Sequence, residues 1–575
     1  MSTSATDASA ATLRAASGDA TDTPNSPGPS RSRWAFLRRY LMGLDHIGLA
    51  FGFLAFLCSV TPSLLPRSWA AQGLVSGLAV TAAYAIGAAV TQIGRWAGVP
   101  PLAPRTNRRI RRVIVAVGAV SVVVALALGA SWQNDVRRAV GIPAQGGYLY
   151  LGVLAIAAVV FALLLGIARL FRDVYLRIVH RLLRVVPMVA ARLVAAAVVT
   201  VLAVTVLNGA IYHALLSLAN AISARIDSST DAGALPPSSP LRSGGPGSLV
   251  AWNTLGREGR NFVSEGPSVA QMEKITGRPA KPSIRVYAAL RSAPTLQGEA
   301  DVVLAELRRT GAFDRALLAV ATTTGTGWVD PTLADPLEYM YGGDTAIAAM
   351  QYSYLPSWIS FITDRDQAQQ AGRTLFDTVY DYWATLAPGH RPRLVVFGES
   401  LGTFGGTAAF SGLADLGLRT QGDLFAGPPN STELCRELTD RRAADSPERL
   451  PVYGNGQAVR FAATPADLGV PGTAGPHPEL VFLQHASDPV VWWSPDLVWS
   501  EPDWLREPRG PDVLPQVHWY PLVTFWQVTW DMAISLAPPP GHGHHYGAEV
   551  PAAWAAILHP PHWTDAETAA LGSKP

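Results

Sequence analysis

A serine in a glycine-flanked turn is the first candidate for chemistry in this chain of 575 residues. Residues 398–402, GESLG, fit a GxSxG pattern, and the preceding residues 394–397, LVVF, predict a fully buried strand. A strand that turns sharply into a helix presents the serine hydroxyl, and the helix N-terminus stabilises negative charge beside it. The pattern therefore predicts that Ser400 is a nucleophile. A structural serine in a glycine turn is the alternative.

A serine nucleophile needs a base, and the base needs an acid that fixes its tautomer. Asp488, in HASDPVV, directly follows the predicted strand 479–484, where a loop at the carboxyl end of a sheet is expected. We therefore expect Asp488 to be the acid. Asp496 and Asp531 are the alternatives, in segments that are less clearly placed.

The histidines of PPPGHGHHYG are the candidates for the base. His544 follows a small residue and is preferred, with His542 as the alternative base. Imidazoles at this spacing could also bind zinc. The chain has no HExxH motif and no obvious cysteine or carboxylate cluster, so we expect no metal and no cofactor.

A tetrahedral intermediate also needs donors for its oxyanion. The backbone N–H of Leu401, directly after the nucleophile, is one expected donor. The second is expected in the loop AVATTTGTGWVDP, where Gly325, Thr326 and Gly327 can bring backbone N–H groups close to a ligand. An ordinary glycine turn is the alternative.

These residues lie in a segment of mixed polarity, 251–562, followed by a short C-terminal tail, 563–575. Short β-rich runs alternate with helical stretches, which predicts an α/β domain with a mostly parallel sheet. The clearest predicted strands are 284–290, 316–322, 393–397 and 479–484. The clearest predicted helices are 298–309, 367–386 and 403–416.

The N-terminal part is much more apolar. The chain is 49% hydrophobic and only 15% charged, below the roughly 25% usual for soluble proteins. Residues 1–40 predict a disordered tail, 41–220 a helical membrane domain, and 221–250 a flexible linker. Five apolar runs approach or exceed the roughly 20 residues needed to cross a bilayer. They are 44–64, 70–93, 113–132, 148–170 and 188–216.

Arginine placement predicts the orientation, because cytoplasmic loops accumulate basic residues. Arginines concentrate in 31–39, 95–112 and 169–184, whereas the intervening loops hold only Arg67, Arg137 and Arg138. This alternation predicts a multi-pass protein of the cell membrane with an extracytoplasmic C-terminal domain. The apolar runs hold few ionisable residues, so anchoring is favoured over transport.

Net charge and cysteine content exclude other classes. The net charge is +2 without a basic stripe, so no nucleic-acid partner is expected. The two cysteines, Cys58 and Cys435, support neither a disulfide framework nor a cysteine metal site. The expected partners are the bilayer and an ester substrate, and the oligomeric state is left open.

Five segments together carry a resemblance: TTTGTGWVDP, QYSYLPSW, FGESLG, SDPVVWW and GHGHHYG. With the apolar N-terminal region they resemble the actinobacterial membrane-anchored α/β-hydrolase family, sometimes called alpha/beta-hydrolase family 9. The resemblance implies a serine-hydrolase fold and roles for Ser400, Asp488 and a histidine of GHGHHYG. Glu399 matches the family's GESLG, and its carboxylate is expected to face away from the nucleophile.

The sequence thus predicts a membrane-anchored serine hydrolase of esterase or lipase type that acts on lipid or cell-envelope esters. Tryptophans near Asp488 offer an apolar surface for an acyl chain, although core packing explains many of them. An acyltransferase that uses the same acyl-enzyme, and a non-catalytic protein that retains the fold, are the alternatives.

Overall fold

The computed structural model describes residues 43–146, 150–363, 365–469 and 478–573. The predicted N-terminal tail, 1–40, lies outside these residues. The N-terminal domain consists of helices α1 His46–Ser59, α2 Trp69–Trp96, α3 Pro104–Ala139, α4 Tyr150–Leu182, α5 Met188–Val204, a π-helix Thr205–Ile211 and α6 Tyr212–Asp227.

Three helices of this domain, α2, α3 and α4, are long and apolar enough to cross a membrane. The sequence predicted about five spans. Helix α1 has 14 residues, about 21 Å at 1.5 Å per residue, which is shorter than the roughly 30 Å hydrocarbon core. Helix α5 has 17 residues before the backbone changes to the π-helix. By the length of their α-helices, neither the first nor the fifth predicted span forms a membrane-spanning α-helix.

The segment predicted as a flexible linker, 221–250, contacts the C-terminal domain. The backbone N–H of Leu249 and the hydroxyl of Ser243 both donate to the buried carboxylate of Glu306, at 2.7 and 3.1 Å. Val250 is buried in the core of that domain. These contacts hold the segment against the domain that follows it.

The C-terminal domain is built on a seven-stranded sheet in which all paired strands are parallel. The strand order is β1-β3-β2-β4-β5-β7-β6. The strands are β1 Ile284–Ala288, β2 Leu317–Thr322, β3 Thr345–Met350, β4 Arg393–Glu399, β5 Asp423–Ala426, β6 Val459–Ala462 and β7 Leu480–Leu483. The predicted parallel α/β architecture is therefore confirmed.

Helices surround this sheet. They are α7 Gly256–Ser264, α8 Val269–Thr276, α9 Leu296–Thr310, α10 Pro331–Met340, α11 Ser357–Thr363, α12 Arg365–Thr385, α13 Leu401–Thr407, α14 Leu413–Arg419, α15 Glu433–Asp440, α16 Pro489–Trp492, α17 Asp503–Arg506, α18 Val523–Ala533, α19 Glu549–Leu558 and α20 Asp565–Gly572. Two apolar clusters form the core, one on each face of the sheet, because alternate side chains of every strand point to opposite faces. Helix α20, with Leu571 buried, lies in the predicted C-terminal tail.

The two domains share a packed junction. Asp531 of α18 is fully buried and accepts hydrogen bonds from the backbone N–H groups of Leu64 and Leu65, in the loop between α1 and α2. Gln527 donates from the same helix to the carbonyls of Ser59 and Thr61. Helix α18 therefore connects the N-terminal helices to the C-terminal domain.

Candidate active site

Ser400 lies on the turn between β4 and α13, at the centre of the sheet. Its backbone φ of 57° and ψ of −121° are unusual for a residue with a side chain, which is typical of strained functional turns. The turn needs glycine on both sides. A Cβ on Gly402 would lie 2.2 Å from the carbonyl oxygen of Thr322, and one on Gly398 would lie 2.4 Å from the backbone of Gly402. The GxSxG spacing thus follows from close backbone packing.

The position of this turn in the sheet also favours a binding site. The chain leaves β2 towards one edge of the sheet and β4 towards the other, so the carboxyl ends of these neighbours diverge. In open parallel sheets, ligands bind in the crevice at such a switch point. Ser400 follows β4, and the loop with Thr324 and Thr326 follows β2.

Asp488 follows β7 and is fully buried. Its Oδ1 caps α16 by accepting the N–H of Val490 at 2.9 Å. Its Oδ2 is 2.7 Å from Nδ1 of His544 and accepts the hydroxyl of Tyr546 at 2.8 Å. Burial, followed by the charge of Asp488, holds the pKa of Tyr546 well above its usual value, so the phenol remains a donor. Three donors thus hold this carboxylate in place.

His544 is 5% exposed and is held at both its backbone and its ring. Its backbone N–H donates to the carbonyl of Ser535, and its Nδ1 contacts Asp488. Among the described residues its buried Nε2 has no hydrogen-bond partner, and the side chain lines the same cavity as Ser400. The structure therefore brings together Ser400, Asp488 and His544 from three separate loops.

The other two histidines of GHGHHYG have different partners. Nδ1 of His542 lies 3.6 Å from Oδ2 of Asp512, and the side chain is half-buried outside the cavity. Nδ1 of His545 contacts the carbonyl of Pro538 at 3.0 Å. Geometry therefore separates His544, the preferred base, from His542, the alternative.

Gly427, directly after β5, covers the imidazole of His544. Its φ of 55° suits glycine, and a Cβ there would lie 2.2 Å from Cε1 of His544. Neither Gly427 nor Tyr546 was singled out in the sequence. The sequence signal for Gly427 is a glycine directly after a short apolar run, DLFAG.

Two of the predicted oxyanion donors already donate to other acceptors within the protein. Leu401 opens α13, where the first N–H groups have no intrahelical acceptor. The N–H of Gly325 donates to Oγ of Ser357 at 3.2 Å, and that of Gly327 donates to the carbonyl of Thr324 at 2.9 Å. Thr326, between them, lines the cavity. Leu401 and Thr326 thus remain the predicted donors.

Glu399 does not face away from the nucleophile. Its buried carboxyl lines the cavity with Ser400, and its Oε1 lies 3.9 Å from Nε2 of His544. Burial, then the neighbouring charges of Asp330 and Asp488, holds its pKa well above the usual value. Asp330 caps α10 and accepts the N–H of Thr332, although burial raises its own pKa to about 6. The two neighbouring carboxyl groups, Asp330 and Glu399, therefore hold a proton, and it lies on Glu399.

This protonated carboxyl makes stability depend on pH. The pKa of Glu399 is higher in the folded chain than its ordinary value of 4.5, so the folded state loses stability relative to the unfolded state as pH rises above 4.5. The loss is about 1.4 kcal/mol per pH unit until the folded pKa is reached. Glu399→Gln removes this penalty. We expect the melting temperature of the variant to exceed that of the wild type more at pH 8 than at pH 5. An equal difference at both values would contradict the protonated state.

A cavity of about 420 Å³ connects these groups. Its lining is mainly apolar, with a few polar side chains among them. The lining residues are Glu258, Thr324, Thr326, Trp328, Pro356, Ser357, Trp358, Phe361, Glu399, Ser400, Val490, Met532, Ala533, Ser535, Leu536 and His544. Within the described ranges, no group of three or more His, Cys, Asp or Glu residues could hold a metal ion.

A parallel sheet with Ser400 after its central strand and an Asp–His pair beside it defines the α/β-hydrolase class. Comparison with known families agrees. Residues 284–571 match the alpha/beta-hydrolase family, and residues 60–267 match the N-terminal region of that family. The chain therefore belongs to this alpha/beta-hydrolase family, as its motifs indicated. No curated protein and no solved structure matches it.

The acid assignment predicts a large effect of Asp488→Asn. An amide offers the wrong group to Nδ1 of His544 and favours the wrong tautomer, so kcat/KM for an ester should fall about 10³–10⁴-fold. Tyr546→Phe removes one donor to the same carboxylate and should cost about tenfold. Ester cleavage by the purified variants measures both. Unchanged cleavage by Asp488→Asn would contradict the assignment.

Proposed function

We propose that this protein is a membrane-anchored serine hydrolase that cleaves esters, with Ser400 as nucleophile, His544 as base and Asp488 as acid. The observation that carries the proposal is the placement of His544. Its Nδ1 is 2.7 Å from Asp488, its buried Nε2 has no partner among the described residues, and its side chain lines the same cavity as Ser400. The family match supports a hydrolase but names no reaction.

In this mechanism the Ser400 hydroxyl transfers its proton to Nε2 of His544 while Oγ attacks the ester carbonyl. Backbone N–H groups at Leu401 and Thr326 stabilise the oxyanion. The alcohol leaves with the proton from His544, and an acyl-enzyme forms on Ser400. Water, deprotonated by His544, then releases the acid. Asp488 keeps Nδ1 protonated throughout.

The cavity favours a lipid-like ester. Aromatic and aliphatic side chains from α11 and from the end of α18 form one side of it. Two of them, Trp358 and Leu536, are 50% and 56% exposed and extend this apolar surface outwards. Helix α18 also packs against α1 and α2, so the apolar side of the cavity adjoins the N-terminal helices. An acyl chain could thus pass from a bilayer to Ser400.

Acyl transfer is the second candidate. Ser400 is 7% exposed and the lining is largely apolar, which limits access of water to an acyl-enzyme. An alcohol that occupies the cavity would then compete with water. Hydrolysis and transfer are separated by adding an alcohol acceptor and measuring which product forms.

We further propose that the helical domain crosses the membrane and that the C-terminal domain lies outside the cytoplasm. The loop between α1 and α2 and the one between α3 and α4 both pack on the C-terminal domain, through Leu64, Leu65 and Val140. The arginine-rich segments 95–112 and 169–184 connect the opposite helix ends. The positive-inside rule places those ends in the cytoplasm. A reporter fused after residue 575 should therefore be extracytoplasmic.

Labelling with a fluorophosphonate tests the catalytic proposal. Such probes phosphonylate an activated serine, so the folded wild-type protein should carry one adduct, located on Ser400 by peptide mass spectrometry. Heat-denatured protein serves as the control and should not be labelled. Folded protein without an adduct on Ser400 would contradict both hydrolysis and acyl transfer.

A further inference from the structure

The cavity has a polar side distinct from its apolar side. Glu258 of α7 and Thr326 lie together, because Gln351 donates both to the carbonyl of Thr326 and to Asp227, at 2.9 and 3.0 Å. Asp227 in turn accepts the N–H of Arg257, the residue before Glu258, at 3.2 Å. Both Glu258 and Thr326 line the cavity.

The apolar side comes from α11 and α18. Phe361 of α11 meets Trp493 edge-to-face at 5.7 Å, and Trp493 lies against Phe525 of α18 at 5.8 Å. Met532 of α18 and Leu536, which follows this helix, complete this side. An ester bound at Ser400 would therefore have its acyl chain on this side and its alcohol part near Glu258 and Thr326.

The cavity presents carboxyl groups and no Lys or Arg side chain among its described lining residues. Its ionisable lining residues are Glu258, Glu399 and His544. Arg257, the residue before Glu258, has Nη1 3.7 Å from Oε1 of Glu258. Its Nε, however, donates to both carboxylate oxygens of Asp231 at 2.9 Å.

The two other arginines nearby are also engaged. Arg291 pairs with Asp227 at 3.3 Å. Arg260 donates to the carbonyls of Asp227 and Ser229. Phosphate groups are recognised chiefly by Arg or Lys, and the side chains on this side of the cavity carry carboxyl and hydroxyl groups instead.

We propose that the cavity accepts ester lipids whose alcohol part is uncharged and carries free hydroxyl groups, such as an acylglycerol or an acylated sugar, and rejects esters that carry a phosphate. This inference rests on the proposed ester hydrolysis at Ser400. Carboxyl and threonine oxygens accept hydrogen bonds from hydroxyl groups, whereas a phosphate would face a carboxylate in a partly dry site.

The protonation of Glu258 adds to this preference. Burial, partly offset by Arg257, raises the pKa of its carboxyl. A protonated carboxyl both donates to and accepts from hydroxyl groups, and an ionised one accepts from them. Neither the protonated nor the ionised form of Glu258 offers a positive charge to a phosphate.

A pair of substrates that differ only by the phosphate tests the inference. 1-Oleoylglycerol and 1-oleoyl lysophosphatidic acid carry the same ester, and a 6-O-oleoyl glucose extends the uncharged series. With the purified full chain in neutral detergent micelles, we expect kcat/KM to be about 100-fold higher for 1-oleoylglycerol than for the phosphate ester. Comparison of the glycerol and glucose esters shows which polyol the site prefers.

Variants of Glu258 make the test specific. Glu258→Gln should lower the ratio of kcat/KM for 1-oleoylglycerol to kcat/KM for the phosphate ester by about tenfold. Glu258→Lys should lower this ratio further, because it should improve cleavage of the phosphate ester. Glu437→Gln, on α15 and outside the cavity lining, is the matched control and should leave the ratio unchanged. Glu258→Gln alone suffices if the lysine variant does not fold.

Failure of the inference differs from failure of the proposed function. If Ser400 is labelled by a fluorophosphonate and p-nitrophenyl butyrate is cleaved, but both oleoyl esters react equally, only the preference for uncharged polyol esters is overturned. The same holds if Glu258→Gln leaves the ratio unchanged. If neither labelling nor cleavage of any ester occurs in folded protein, both the function and the inference are overturned.

Discussion

Ser400→Ala is expected to lower kcat/KM for ester cleavage by about 10⁵–10⁶-fold and to abolish fluorophosphonate labelling. The variant removes the hydroxyl that could form an acyl bond, on a residue that lines the same cavity as His544. The residual rate would come from binding and oxyanion donors that remain. Turnover of p-nitrophenyl butyrate measures the loss.

The fold of Ser400→Ala should be little changed. Ser400 contributes a backbone N–H to the carbonyl of Ala426 at 3.0 Å, and alanine keeps that bond. Thr403→Val provides a matched control for the same turn, since it deletes a buried hydroxyl bonded to the carbonyls of Gly398 and Ala426 without touching the nucleophile. We expect it to lower the melting temperature and to retain labelling. A Ser400→Ala protein that stays active would refute the assignment.

The sequence predicted the central part of the site because its signals are local. A buried run, LVVF, directly precedes GxSxG, and Asp488 lies in the loop after another buried strand, β7. In a parallel sheet, residues that follow strands meet at one edge, so the order of strands and motifs already brings Ser400 and Asp488 close. The sequence preferred His544 over His542 on weak grounds, since both follow glycine in GHGHHYG, and the 2.7 Å contact of His544 with Asp488 favours the same histidine.

The unpredicted contacts are long-range. Gly427 packs on the imidazole of His544. The pKa of Glu399 is raised first by burial and then by the neighbouring charge of Asp330. Neither pair shares a local pattern. The predicted direction of Glu399 was wrong, because at the end of β4 its carboxyl lies on the side of His544, with Oε1 3.9 Å from Nε2.

Short elements were also missed. The strands β3, β5 and β6 have six, four and four residues, and Ala-rich TAIAAM gives little β signal. The predicted helix 403–416 is two helices, α13 and α14, separated where Gly412 has a φ of 153°. Tertiary pairing decides such segments more than propensity does.

The first apolar run predicted from hydropathy, 44–64, also continues beyond the end of helix α1. Helix α1 ends at Ser59, and the apolar residues Leu64 and Leu65 that followed it in the prediction are buried against Trp492 and Trp504 of the C-terminal domain. Apolar side chains bury equally well in lipid and in protein, so composition alone does not distinguish them. The same contacts explain part of the tryptophan density near Asp488, which serves the junction between domains.

His544→Ala should lower kcat/KM about as much as Ser400→Ala, by about 10⁵–10⁶-fold, because serine and histidine act as one unit. His542→Ala should lower it by less than about fivefold. His542 lies beside Asp512 rather than Asp488, at 3.6 Å, and does not line the cavity. Assays of both purified variants on the same ester measure the contrast.

The two substitutions are a matched pair, since both remove an imidazole from one short loop. That loop is held by Gly543, whose N–H donates to Oγ of Ser487, and by His485, whose Nδ1 contacts the carbonyl of Gly543 at 2.8 Å. Neither variant deletes these bonds, so both should fold. Equal losses in the two variants would mean that loop order, and not proton transfer at Nε2 of His544, accounts for the effect. A loss confined to His542→Ala would instead identify His542 as the base.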